Sequence, residues 1–221
     1  MVTGKGKPVM RKVSDSTIKR LSMYYRSLSE FESKGYKTVS SEHLARTERL
    51  PPAQVRKDLS FFGSFGTRGL GYKTKELKGR IGKILGLDRT WNVALVGVGN
   101  VGSALVSYKE FQKQGFNIKL LFDNDQRKIH KNHKGLPVLD VKDLVSQLKE
   151  RKIEIVILAV PIPAAQMVAD LVVAAGVKTI LNFAPTRIKV PKDVIVRFVN
   201  MAMELEHLSF CLSNRDFSVA T

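Results

Sequence analysis

The stretch LVGVGNVGSAL, residues 95–105, sets Gly97, Gly99 and Gly102 in the spacing GxGxxG, and the run WNVALVG that leads into it is apolar and β-branched. These glycines suit a strand that turns sharply into a helix. The first permits the tight turn, the second lets backbone approach a pyrophosphate, and the third lets helix pack on strand. The N–H groups at the helix start are then free for phosphate. The spacing alone is a weak signal, and its context strengthens it. Asp123 closes the next apolar run, 21 residues after Gly102, where a carboxylate can accept hydrogen bonds from both ribose hydroxyls. Asn124 and Asp125 follow, rather than an arginine that would hold a 2′-phosphate, so NAD(H) is expected over NADP(H).

Outward from this turn, NIKLLFD, EIVILAV and TILNFA are strand-like runs, and VGSALVSYKEFQKQ, VKDLVSQLKERK and AAQMVADLVVAAG are helical stretches between them. The alternation predicts a parallel sheet with helices on both faces. These strands are complete by Ala184, and residues 185–221 are too few for an ordinary substrate domain. Candidate acid–base groups are scattered: His43 lies far upstream, His130 and His133 sit in the polar stretch RKIHKNHKG, and His207 falls near the end. Without a third ligand at useful spacing, RKIHKNHKG reads as a solvated loop, and no metal is expected. The segment VIVRFVNMAMELEHLSFCL reads as a strand ending near Asn200 and then a helix. Met201, Leu205, Leu208 and Leu212 form one apolar stripe, and Met203 and Phe210 form a second. Burial in another subunit and burial on the helix's own sheet both fit that pattern.

The 221 residues are 43% apolar and 26% charged, with a formal charge of +17. Residues 1–90 hold 20 Lys/Arg against 8 Asp/Glu, whereas residues 91–221 hold 17 against 12. The first segment is therefore the one expected to meet a polyanion. No apolar run reaches the length of a membrane span and the N-terminus lacks the apolar core of a signal peptide, so a cytoplasmic protein is expected. The single Cys211 excludes an intrachain disulfide and reads as a small buried apolar residue.

In this basic segment, Ser14, Asp15 or Ser16 can cap a helix whose Ile18, Leu21, Tyr25 and Leu28 form one stripe, with Gly35 as its stop. Ser40 or Ser41 caps a second helix, SSEHLART. A third starts at Pro51 and Pro52 and runs through AQVRKDLSFF, giving a helix-turn-helix order. At about 100° per residue, Val55, Leu59 and Phe62 share one side of the third helix, Lys57 lies opposite, and Gln54 and Arg56 flank it. Such side chains can read base edges or hold phosphate, and an ordinary solvated face looks the same. GSFGTRGLGY, residues 63–72, then suits a hairpin, the wing of a winged helix, with Arg68 able to enter a narrow minor groove. Residues 73–90 read as a connecting helix.

QVRKDLSFFGSFGTRGLGY, the valine-rich GxGxxG strand, LNFAP (181–185) and the closing LSF together resemble the bacterial redox-sensing transcriptional repressors of the Rex family, from about Ser16 to Leu212. The resemblance implies an α/β chain in three parts. Residues 1–90 are a winged-helix DNA-binding domain with a linker helix, 91–200 a Rossmann NAD(H)-binding domain, and 201–221 a C-terminal helix swapped between the subunits of a homodimer. It implies a repressor rather than an enzyme, bound to an inverted-repeat operator and released by NADH while NAD⁺ opposes release. DNA is then expected at Ser41, Gln54, Arg56, Lys57, Ser60 and Arg68. The cofactor is expected at Gly97, Val98, Gly99, Asn100, Val101, Gly102, Asp123, Asn124, Lys128, Pro161, Asn182, Phe183 and Pro185, with Tyr108 and Met201 near the nicotinamide. The family's sensor network maps onto Arg26, Tyr108 and Asn200, and Asn200 replaces an Asp that could pair ionically with Arg26. On residues alone a rival stays open: a small NAD-dependent oxidoreductase, or a CoA-binding relative of the same sheet, whose basic N-terminus is incidental.

Overall fold

The computed structural model describes residues 13–67 and 69–214. The chain divides between Asp88 and Arg89 into two compact units.

In the first unit, α1 (Asp15–Ser33) opens on Ser14, whose hydroxyl accepts the Thr17 N–H at 3.2 Å. It stops at Gly35, where φ of +81° lets Tyr36 N–H reach the Phe31 carbonyl and Gly35 N–H reach that of Glu32. Its buried face holds Leu21, Tyr24, Leu28 and Phe31. The expected stripe is thus rotated: Ile18 is 45% exposed, and Tyr25 only borders the core. Apolar spacing admits either face, and Tyr24 decides because its hydroxyl meets a buried carboxylate, Asp58.

The unit continues through β1 (Thr38–Val39), α2 (Ser41–Thr47), α3 (Pro52–Ser60), β2 (Tyr72–Lys73) and α4 (Thr74–Ile84). Ser40 is the cap of α2, accepting the His43 N–H at 3.1 Å. Val55 and Leu59 of α3 join Leu44 of α2 in one core, with Phe62 at its edge. The expected connecting helix is a core helix instead, since Leu77 and Ile81 of α4 are buried in that same core. In the glycine-rich stretch 63–72 the described residues Thr67 and Gly71 form an antiparallel bridge, and a ladder runs from β2 to β1, pairing Lys73 with Thr38 and Tyr72 with Val39. At Gly71, with φ of +74°, any Cβ would meet the Val39 carbonyl oxygen at 2.6 Å. Arg68 lies outside the described residues.

The second unit runs β3 (Trp91–Val96), α5 (Asn100–Val106), α6 (Lys109–Lys113), β4 (Phe116–Asp123), β5 (Asn132–His133), β6 (Leu136–Asp140), α7 (Leu144–Glu150), β7 (Ile155–Leu158), α8 (Ile162–Ala174), β8 (Thr179–Asn182), β9 (Ile195–Phe198) and α9 (Met201–Ser213). The sheet order is β5-β6-β4-β3-β7-β8-β9, parallel apart from β5. Alternation along β3 serves both faces. Val93 and Leu95 meet Leu105 and Phe111 on one side, and Ala94 and Val96 meet Leu144, Leu148, Val168 and Val172 on the other.

Four details depart from the sequence reading, the first being β6, an unexpected strand that pairs with β4. Residues 101–114 are two short helices rather than one, broken at Ser107, whose hydroxyl donates back to the Ser103 carbonyl at 3.0 Å, and at Tyr108, whose backbone is extended. RKIHKNHKG is not simply a loop: His133 pairs with Leu136 across a two-residue turn in which Lys134 and Gly135 both take positive φ. On α9 no described residue is buried, and Cys211 is half-buried there rather than enclosed.

Candidate functional site

Without β5, the sheet order places strands three, two, one, four, five and six of the unit side by side, and the order reverses between β3 and β7. Loops at the carboxyl ends of strands diverge at such a point and leave a crevice. One of about 540 Å³ lies there, within the size range of cofactor sites. The glycines divide their tasks as the spacing required. A Cβ on Gly97 or Gly102 would collide with backbone, at Ala159 and Gly97 respectively, whereas Gly99 has nothing within 4 Å. The open glycine lines the crevice, and α5 begins behind it with no side-chain cap on its first N–H groups.

Asp123 lies at the crevice with its side chain 8% exposed. Its carboxylate accepts Val98 N–H at 2.8 Å, Asp125 N–H at 2.9 Å and the Lys128 ammonium at 3.1 Å. Burial pushes this carboxyl up, but the N–H of Asp125, the Lys128 ammonium and the N–H of Val98 outweigh burial and hold it below its ordinary value. A carboxylate offers about four acceptor positions, so three are occupied. With Lys128 in place, about one acceptor position is left for a ribose hydroxyl.

Of the expected cofactor residues, Gly97, Gly99, Asn100, Val101, Asp123, Asn124, Lys128, Pro161, Phe183 and Pro185 line the crevice. Val98, Gly102 and Asn182 do not, being buried behind it. Asn182 instead donates to the carbonyls of Ala184 and Thr186 and accepts the Ala184 N–H, which shapes the Phe183–Pro185 wall. Tyr108 stands beside Phe111 at a separate hollow of about 310 Å³, and Met201 is 60% exposed on α9, so neither lines the crevice. Val141, Val160, Ala164 and Met167 were missed. Ala164 and Met167, three apart on α8, share a face that periodicity could have marked.

In the first unit, α3 presents exposed Arg56, Lys57 and Ser60. Arg56 donates to the Ser41 hydroxyl at 3.0 Å and to Glu42 at 3.1 Å, which orients its guanidinium. The residue missed by the sequence reading is Asp58, 3% exposed on the core side of α3. Arg20 grips it through Nε at 2.5 Å and Nη2 at 2.8 Å, Tyr24 donates at 2.9 Å, and Gln54 Nε2 donates at 2.8 Å. Burial pushes its carboxyl up, and the hydrogen bonds from Arg20, Tyr24 and Gln54 outweigh burial and hold it below its ordinary value. Its own burial, and then the same contact, raise the Tyr24 phenol.

Of the sensor trio, Arg26 belongs to the first unit and Tyr108 and Asn200 to the second. The Asn200 side chain accepts the Ala202 N–H at 3.0 Å and so caps α9. Among the described residues no three His, Cys, Asp or Glu side chains are grouped to hold a metal ion, and no helix is long and apolar enough to cross a membrane.

Two family models match: "CoA binding domain" over residues 88–186 and "Putative DNA-binding protein N-terminus" over residues 12–60. Curated relatives named redox-sensing transcriptional repressor Rex include that of Desulforamulus reducens, 48% identical over 93% of this chain and 98% of its own. That of Carboxydothermus hydrogenoformans is 50% identical over 90% and 96%. Among solved structures, RSP, a Rex-family repressor, in complex with β-NAD⁺ and operator DNA matches at TM-score 0.90 and 39% identity, covering 94% of this chain and 95% of that one. The same repressor with β-NADH matches at TM-score 0.85 and 37% identity, covering 94% and 97%.

Proposed function

The chain belongs to the Rex family of redox-sensing transcriptional repressors, and from that premise we propose that it grips an inverted-repeat operator as a homodimer through α3 and the adjoining glycine turn, and releases it when NADH enters the crevice. It is a DNA-binding regulator that takes NAD(H), not an enzyme. The oxidoreductase and CoA-binding alternatives give way because its relatives are repressors along nearly the whole chain, basic N-terminal unit included.

The observation that carries the cofactor assignment is the crevice itself. The open Gly99 and the uncapped start of α5 suit a pyrophosphate, Asp123 and Lys128 suit a ribose, and Pro161, Phe183 and Pro185 suit a flat apolar ring. Bound nicotinamide is cationic when oxidised and neutral when reduced. An apolar wall therefore disfavours the oxidised ring by desolvation. Such a difference alters DNA affinity only where the two forms also favour different arrangements of the protein. Arg26, Tyr108 and Asn200 are the residues assigned to that coupling.

The homodimer reading is supported by α9, whose Met201, Met203, Leu205, Leu208 and Leu212 are all more than half exposed. A helix apolar on two sides is costly in water, and exchange with a second copy would cover it. Leu208→Asp should then shift the protein towards monomer in sedimentation equilibrium. The deciding test of function is fluorescence anisotropy of a labelled operator duplex on the protein, titrated with NADH and separately with NAD⁺. Release by NADH at concentrations where NAD⁺ leaves the complex intact is expected; equal responses would defeat the proposed switch.

A further inference from the structure

Asp58 is a buried charge on the helix assigned to the DNA groove, and its partners are the informative part. Gln54 Nε2 spends one donor on Asp58 Oδ1, so the side chain of a candidate base reader is tethered one turn along the same helix. Arg20 of α1 spends Nε and Nη2 on the same carboxylate. Arg20, Gln54, Lys57 and Asp58 line one hollow of about 400 Å³ between the start of α1 and the side of α3. Lys57 is exposed there, while the Arg20 side chain is 19% exposed. The arrangement is costly if its only purpose is stability, because a neutral, well-packed set often serves as well as a buried ion pair.

We propose that Asp58 is a positioning residue for sequence selectivity: it holds Gln54 in one reading posture and withholds the Arg20 guanidinium from the phosphate backbone. A free cation beside the groove would add affinity for any duplex and none for a particular one. A tethered glutamine presents its remaining donor and its carbonyl oxygen in a set direction, as bidentate readout of a base requires. The inference rests on the assignment of α3 to the groove.

The test compares wild type, Asp58→Asn, the double variant Arg20→Met/Asp58→Asn, and Lys57→Ala. Each is measured by anisotropy against the inverted-repeat duplex best bound from a randomised pool and against a scrambled duplex of equal length, across a salt series. Asp58→Asn should lower the ratio of the two affinities about tenfold and steepen the slope of log K against log salt by about 1.8, the increment for one added phosphate contact from each subunit of the dimer. The double variant should return the slope to the wild-type value while the ratio stays low. A purely structural Asp58 would lower the melting temperature and leave ratio and slope unchanged, and that result overturns the proposal. If Asp58→Asn fails to fold, the double variant decides, since a wild-type ratio in it overturns the tether. Lys57→Ala separates the two failures. Unweakened binding in that variant removes α3 from the groove and the proposal with it. Weakened binding, with ratio and slope unmoved in the Asp58 variants, removes the proposal alone.

Discussion

Each unit buries an aspartate against a cation, and the two are built differently. Asp58 is held by side chains on two packed helices, and its cation, Arg20, is largely enclosed. Asp123 is held by two backbone N–H groups of the loops it joins, and its cation, Lys128, is 39% exposed at the mouth of the crevice. Arg20 is fixed by two hydrogen bonds to Asp58 and is released only if that carboxylate lets go, whereas Lys128 makes one bond to Asp123 and is more open to water. A carboxylate gripped by enclosed side chains sets how two helices meet. One gripped by backbone beside a part-exposed counterion sets the shape of the crevice mouth instead.

The contrast breaks most visibly in stability. Asp58→Ala leaves the Arg20 charge and the Tyr24 hydroxyl without their buried acceptor, and should destabilise the first unit by about 3–5 kcal/mol, the range for removing one partner of a buried pair. Urea unfolding followed by circular dichroism checks this, and a loss below about 1 kcal/mol would put Asp58 with ordinary surface pairs. The pH dependence carries the same sign. The folded carboxyl titrates below its unfolded value, so its contribution is complete above about pH 4 and is lost as pH falls through the depressed folded value. Asp58→Asn should flatten that part of the acid dependence.

Asp123→Ala should act on ligand more than on fold. Lys128 returns to solvent, and the loss falls on the Val98 loop and on one ribose contact. NADH and NAD⁺ should weaken together by about 1.5–3 kcal/mol, the range for hydrogen bonds to a charged group, with their ratio unchanged because the ribose is common to both. Isothermal titration with each nucleotide reads this. Unchanged NADH affinity would take the adenosine ribose away from Asp123.

The smallest effect is expected at Asn200. Its side chain caps α9, and Asp caps about as well, so Asn200→Asp should change helix stability by no more than a few tenths of a kcal/mol. Operator affinity with and without saturating NADH then isolates the sensor. A changed ratio assigns Asn200 to the coupling with Arg26, and an unchanged ratio leaves it as a cap.

The glycine turn, the alternation of strands and helices, and the order of the first three helices were legible because each rests on local chemistry: positive φ at glycine, capping hydroxyls, and side-chain periods of about two and 3.6 residues. The resemblance to the Rex family was legible for a related reason, since QVRKDLSFFGSFGTRGLGY carries cap, core and turn residues in one continuous run. What local pattern could not settle was which of two adjacent tyrosines faces the core. Apolar spacing admits Tyr24 and Tyr25 alike, and only an acceptor 34 residues away in sequence selects Tyr24. Nor could it say that α4 closes the first core rather than leaving it, or that β2 pairs with β1 across 35 residues instead of with its own turn. Asp58 lay in plain view as a charge on an apolar side of α3, without meaning until Arg20 was beside it. The sequence by itself determined the glycine turn, the long helices and the central strands, the cofactor class and the basic segment, while the short strands β1, β2, β5 and β6 emerged only in the fold. The tertiary structure alone decided the pairings of buried polar groups and the capacity left on Asp123. Those depend on distances between residues remote in the chain, where the low dielectric of a core makes each missing or added partner count.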